Sequence, residues 1–140
     1  MSQNPWRRPT LYFIALMLLF SGCKSFSRSS VAGNHAVMEG LVVEQMRTIY
    51  RAEKIYKGET GGYGSIEELI DRGQLNRDPS GHLSYNFRLN AERGSFQCVA
   101  TPTTYGTTGV LSFFVDDTGA VKGADHGGKP ATDSDPIINN

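Results

Sequence analysis

The sequence predicts an α+β domain: a long N-terminal amphipathic helix packed on a three- to four-stranded antiparallel sheet. Three observations predict it. Apolar residues recur at helical spacing between His35 and Lys57. From Leu83 onward the spacing changes to the alternation of half-buried strands. Clusters of Gly, Pro, Asn and Asp separate the alternating runs. Helix and sheet each carry one apolar face, and packing them together buries both.

The chain has 140 residues, enough for one domain and short for two. Hydrophobic residues make up 39% and charged residues 20%, which excludes a disordered chain. The formal net charge is zero and no Lys/Arg cluster is dense, so there is no electrostatic case for nucleic acid.

Residues 1–22 read as a signal peptide. Arg7 and Arg8 form a basic start, and Leu11 to Phe20 is an apolar run too short to span a bilayer as a helix. Leu19-Phe20-Ser21-Gly22-Cys23 then resembles the bacterial lipobox, with Phe20 where Leu is commoner. That resemblance implies acylation of Cys23, cleavage before it, and a membrane anchored through N-terminal lipid. The alternative is an ordinary secretory signal with Cys23 incidental. Residues 23–34 are rich in Ser and small side chains and read as the lipidated N-terminus and a tether. Residues 35–140 form the domain.

Asn34 is placed to cap the first helix. Met38, Leu41, Val42, Met46, Ile49, Ala52 and Tyr56 make its apolar stripe over about six turns, widened by Val43, Tyr50 and Ile55. Glu39, Glu44, Arg47, Arg51, Glu53 and Lys54 fall mostly elsewhere. Gly58, Gly61 and Gly62 stop it. Ser65-Ile66-Glu67-Glu68 is a capping box, starting a short helix with Gly73 at its end. Pro79-Ser80-Gly81 marks a turn. Strands are expected over Leu83 to Leu89, Ser95 to Thr101 and Val110 to Val115. Asp116-Asp117-Thr118-Gly119 turns the chain into a return strand, Ala120 to Gly123. The polar tail from Ala124 reads as coil over the sheet or a partly mobile end.

This order resembles the globular part of type IV pilins and of the major pseudopilins of type II secretion. Four matches carry the resemblance. Met46-Arg47-Thr48-Ile49-Tyr50-Arg51-Ala52-Glu53 with Tyr56 is similar to the helix-end pattern of that family. Gly62-Tyr63-Gly64-Ser65 leading to Leu69 is similar to its helix–helix joint. Tyr85-x-Phe87 followed by Phe96-x-Cys98-x-Ala100-x-Pro102 resembles its strand pair. Phe113-x-Val115-Asp116-x-x-Gly119-x-Val121 resembles its final hairpin, and Ala124-Asp125 and Ser134-Asp135-Pro136 add to the likeness. The Gly-Phe-Thr-Leu-Ile-Glu start and the long apolar stem of true pilins are absent. The resemblance therefore implies a pilin head on a lipid anchor, with doubt cast on filament formation through a helical core.

Chemistry is sparse. His35, His82 and His126 are isolated, without the spacing of a metal or triad site. No Gly-x-Ser-x-Gly elbow occurs, and no Walker lysine follows Gly58 to Gly64. With Cys23 acylated, Cys98 has no disulfide partner and reads as a small buried hydrophobe. Tyr50, Tyr56, Tyr63, Tyr85, Phe87, Phe113 and Phe114 read as core. Asp116, Asp117, Asp125, Asp133 and Asp135 gather near the last hairpin and tail. They are calcium candidates, since calcium takes oxygen ligands from loops and some major pseudopilins bind it there. Solvated turn aspartates are the alternative, and no other cofactor is expected.

The expected function is a non-enzymatic structural or assembly role at the bacterial envelope, facing the periplasm or cell surface. Its protein partner would belong to type IV pili or type II secretion. The N-terminal end of the helix stripe, Val37, Met38, Leu41 and Val42, is the expected partner-binding place. The alternatives are a binding module for a small ligand or calcium, and a genuine pilus or pseudopilus subunit.

Overall fold

The computed structural model describes residues 28–81 and 83–139, with side-chain surroundings from Asn34 onward. Cys23, the signal segment 1–22 and His82 lie outside the described residues. The described chain folds as one long helix packed on a four-stranded antiparallel sheet.

Helix α1 spans Arg28–Thr60, 33 residues. It begins upstream of His35, so much of the expected tether is helical and Asn34 lies inside the helix rather than capping it. The physical reason is cooperativity: Ser29 to Ala32 contain no proline, and extending an existing helix costs little. The helix also runs through Gly58. It stops at Gly61, where φ reaches 82° and the amide donates to the Lys57 carbonyl at 2.9 Å.

Helix α2, Ile66–Asp71, opens with the predicted capping box. The Glu68 amide donates to Ser65 Oγ at 3.2 Å, and the Ser65 amide donates to Glu68 Oε2 at 2.8 Å. Gly73 follows with φ 76°.

The sheet is a meander in the order β1-β2-β3-β4: Tyr85–Ala91, Phe96–Pro102, Ser112–Asp116 and Lys122–Ala124. Strand β1 starts at Tyr85 rather than Leu83, because Ser84 takes a left-handed φ of 54°. The Ser84 carbonyl accepts instead from the Thr103 amide at 3.1 Å. Tyr85 pairs with Pro102, Leu89 with Cys98, and Cys98 with Val115. This register aligns the inward sets of neighbouring strands.

The core lies between α1 and the sheet. Val42, Val43, Met46, Ile49, Ala52 and Tyr56 meet Tyr85, Phe87, Phe96, Cys98, Ala100, Phe113 and Val115. Six of the seven expected core aromatics are buried there or beside it, and Tyr50 is partly buried. Tyr63 packs on Phe96 with ring centres 5.0 Å apart, and Tyr85 lies 6.0 Å from Phe113.

The tail is coil that pairs with the free edge of β4. The Gly123 amide donates to the Pro136 carbonyl at 3.0 Å, and the Ile138 amide donates to the Val121 carbonyl at 2.8 Å. No helix among the described residues is long and apolar enough to cross a membrane.

Candidate functional site

The five aspartates do not converge. No three His, Cys, Asp or Glu side chains among the described residues form a group that could hold a metal. Instead the acids cap turns. Asp116 Oδ1 accepts from the Thr118 amide at 3.0 Å. Asp125 takes the Gly127 amide at 2.9 Å on one oxygen and the Tyr105 hydroxyl at 3.0 Å on the other. Asp135 Oδ2 receives the Thr132 amide at 2.7 Å and faces His126 Nε2 at 2.8 Å. The Thr132 amide and then His126 hold the Asp135 carboxyl below its usual range. Asp133 offers its carbonyl to Lys122 Nζ at 2.7 Å, and Asp117 is exposed on the hairpin. His126 thus belongs to a tail clamp rather than standing alone.

The expected partner face on α1 needs a correction. Val42 is fully enclosed beneath the sheet and Met38 is partly buried against the core. The turn of the stripe that carries them points inward, so neither is free to dock. Val37 and Leu41 are exposed, at 68% and 51%. The same end of α1 holds the β2–β3 connection. Glu39 Oε1 accepts from the Val110 amide at 2.8 Å and the Leu111 amide at 3.0 Å. Two backbone donors on one carboxylate oxygen fix this loop to the helix.

The second end of α1 carries the least expected residue. Glu53 has no solvent exposure. Its Oε2 accepts from the Gly64 amide at 2.9 Å, while Oε1 has no hydrogen-bond partner. Burial pushes this carboxyl up to about 7, against the Gly64 amide, which favours the charged form; Glu68 adds a smaller upward push. The loop approaches so closely that a Cβ on Gly64 would sit 2.9 Å from the Tyr56 ring. Above this joint is an open depression of about 460 Å³ lined by Tyr56, Thr60, Gly61, Gly62, Tyr63 and Arg93. Lys57 Nζ stands 4.3 Å over the Tyr63 ring and donates to its hydroxyl at 3.2 Å.

Glu53 was legible in principle. Met46, Ile49, Glu53 and Tyr56 follow the three-four spacing of one helix face, so the wheel places it inward. Glu39 had no such signal, because its partners lie 71 and 72 residues away. Cys98 is fully buried on β2, and burial, with a smaller push from Glu53, raises its thiol to about 12. It remains a protonated thiol at neutral pH and offers no nucleophile.

The joint therefore ties α1 to α2 through one buried titratable strut, and the far end ties α1 to the β2–β3 loop through Glu39. No curated protein matches the chain. A family model described as "Protein of unknown function (DUF2950)" matches residues 37–138, which take in most of α1, the joint, the whole sheet and the tail clamp. The chain belongs to that family.

Proposed function

We propose that this chain is a pilin-like lipoprotein, a non-enzymatic assembly protein held to a bacterial membrane by lipid on Cys23. Its partner is a component of a type IV pilus or type II secretion machine. The observation that carries this reading is the packing of one 33-residue helix on a four-stranded antiparallel meander, with no buried side chain at residues 34–37. The helix begins at Arg28, upstream of the segment that packs on the sheet and toward the end of the sequence that carries Cys23. The two anchored connections, at Glu39 and Glu53, make the head a rigid unit on that helix. Neither is a pairing of nucleophile and base, which supports a structural role over a catalytic one.

Intact mass and N-terminal analysis of the mature protein tests the anchor, beside a Cys23→Ala variant. A lipid adduct at Cys23, lost together with membrane retention in the variant, is expected. An unmodified, soluble wild-type protein would overturn the anchored reading and leave a secreted domain.

Calcium has no part in this reading, because Asp116, Asp125 and Asp135 already accept from backbone amides and side-chain donors. Millimolar calcium is expected to leave the melting temperature unchanged. A rise abolished by changing Asp125 and Asp133 would favour a calcium-binding module instead.

A further inference from the structure

Five large apolar side chains among the described residues are exposed, and three of them, Val37, Leu41 and Ile55, lie on α1. They share one line. At about 100° per residue, positions 37, 41, 44, 48, 51 and 55 all fall within about 40° of a straight stripe along the helix. Every one of these residues is exposed: Val37, Leu41, Glu44, Thr48, Arg51 and Ile55. The stripe faces away from Val42, Met46 and Ile49, which belong to the core against the sheet. It is therefore a second seam of the same helix.

The seam is symmetric about its centre. Its steps read four, three, four, three, four, so it has the same spacing from either end. Its ends are apolar and its middle is polar, with Glu44 on one side of centre and Arg51 on the other. We propose that this seam is an interface between two copies of the chain, packed antiparallel about a two-fold axis at the axial level of residue 46, passing between Glu44 and Thr48 on the exposed side.

That axis sets Val37 level with Ile55 of the second copy, twice over. It sets Leu41 level with Arg51, whose methylene stem covers apolar surface while its charge reaches outward. The charged end comes to Glu44 of the other copy, one helical turn along, about 4.5 Å in axial rise. An isologous contact forms this pair twice. Arg47, which flanks the seam near the axis, is paired with Glu44 in its own helix, and Arg51 of the second copy joins the same carboxylate. Lys54 falls level with the uncharged Met38 of the second copy. A parallel pairing would instead stack Glu44 on Glu44 and Arg51 on Arg51, and like charges in register oppose it. Three apolar side chains per copy give a small contact and hence a reversible dimer, so crosslinking is the right readout.

The full-length protein in its own membranes serves for the test. Val37→Cys and Ile55→Cys are made separately, carried on differently tagged chains and co-expressed. These positions are about 27 Å apart in one chain, too far for an internal disulfide. Oxidation is expected to give a dimer bearing both tags, well above the yield from either variant alone or from the unsubstituted chain with Cys23 and Cys98. Crosslinking of Val37→Cys to itself at equal yield would indicate parallel packing and overturn the proposal. A mixed yield at baseline would overturn it too. If both thiols were then shielded from a water-soluble maleimide only when membranes are present, the seam would be a lipid-facing surface. Charge exchange adds a second arm. Glu44→Arg or Arg51→Glu alone is expected to lower the mixed crosslink about fivefold to tenfold, from the loss of two exposed ion pairs and the added repulsion. The double reversal should restore it. A double variant as weak as the singles would sink the proposal.

Discussion

Glu53 buries a carboxylate oxygen that meets neither water nor a donor. The neutral acid fits such a site better than the anion. Its folded-state value of about 7 stands above the ordinary 4.5. The folded state therefore binds the proton more tightly, and stability follows the proton. This contribution is full below about pH 4.5 and disappears as pH rises through about 7. Its full span is on the order of 3 kcal/mol. Urea midpoints of the wild type should fall between pH 5 and 8, while those of Glu53→Gln should stay nearly level. Parallel pH profiles for the two proteins would refute the assignment. The same residue shows why burial was harder to read than periodicity. Its charge set Glu53 outside the apolar stripe, although its spacing from Ile49 and Tyr56 points inward, and only the Gly64 amide 11 positions away makes the inward place tolerable.

At the scale of elements, local signals were legible and remote ones were not. The capping box of α2 is complete within four residues, Ser65 to Glu68, and it formed as read. The alternation of β1 and β2 also carried through, because it is a property of each strand by itself, while β3 is buried on both faces. The ends of α1 were misplaced. Nothing in Arg28 to Asn34 halts a helix, and of the glycines after Tyr56 the structure selects Gly61 by its positive φ. The β3–β4 turn shows a remote constraint at work. Gly119 has φ 82°, and a Cβ there would meet the Tyr50 ring at 2.7 Å. The turn is thus pressed against α1 as well as bent sharply. Gly119→Ala should cost about 2 kcal/mol or more from backbone strain and contact together. A thermal melt checks it, and a loss of only a few tenths would show that the turn can move off the helix.

Over the whole molecule, the sheet has two edges and treats them differently. Strand β4 is only three residues long, and the tail shields it through Gly123–Pro136, Val121–Ile138 and the bridge of Lys122 to Ile137. The tail looked like loose coil because its residues are polar and rich in turn formers; pairing across thirteen or more positions leaves no periodic trace. Deleting residues 137–140 should remove the Ile138 bond and the Ile137 bridge and open part of the edge. A loss of about 1–2 kcal/mol is expected, with concentration-dependent light scattering as the edge finds other strands. An unchanged melting curve and a clear solution would mean that the tail is not needed as a cover.

That cover has a consequence for biogenesis. If the chain is exported N-terminus first, as the proposed function requires, α1 emerges before the residues around Ile138. Until that segment has left the export channel, β4 cannot receive its partner. On the proposed anchored reading, the nascent domain then waits with a bare strand edge, and completion of the sheet is coupled to release of the segment around Ile138. A fusion that delays this release, such as an appended slow-folding domain, should lengthen the interval in which the edge is open to capture by a chaperone or by a neighbouring chain.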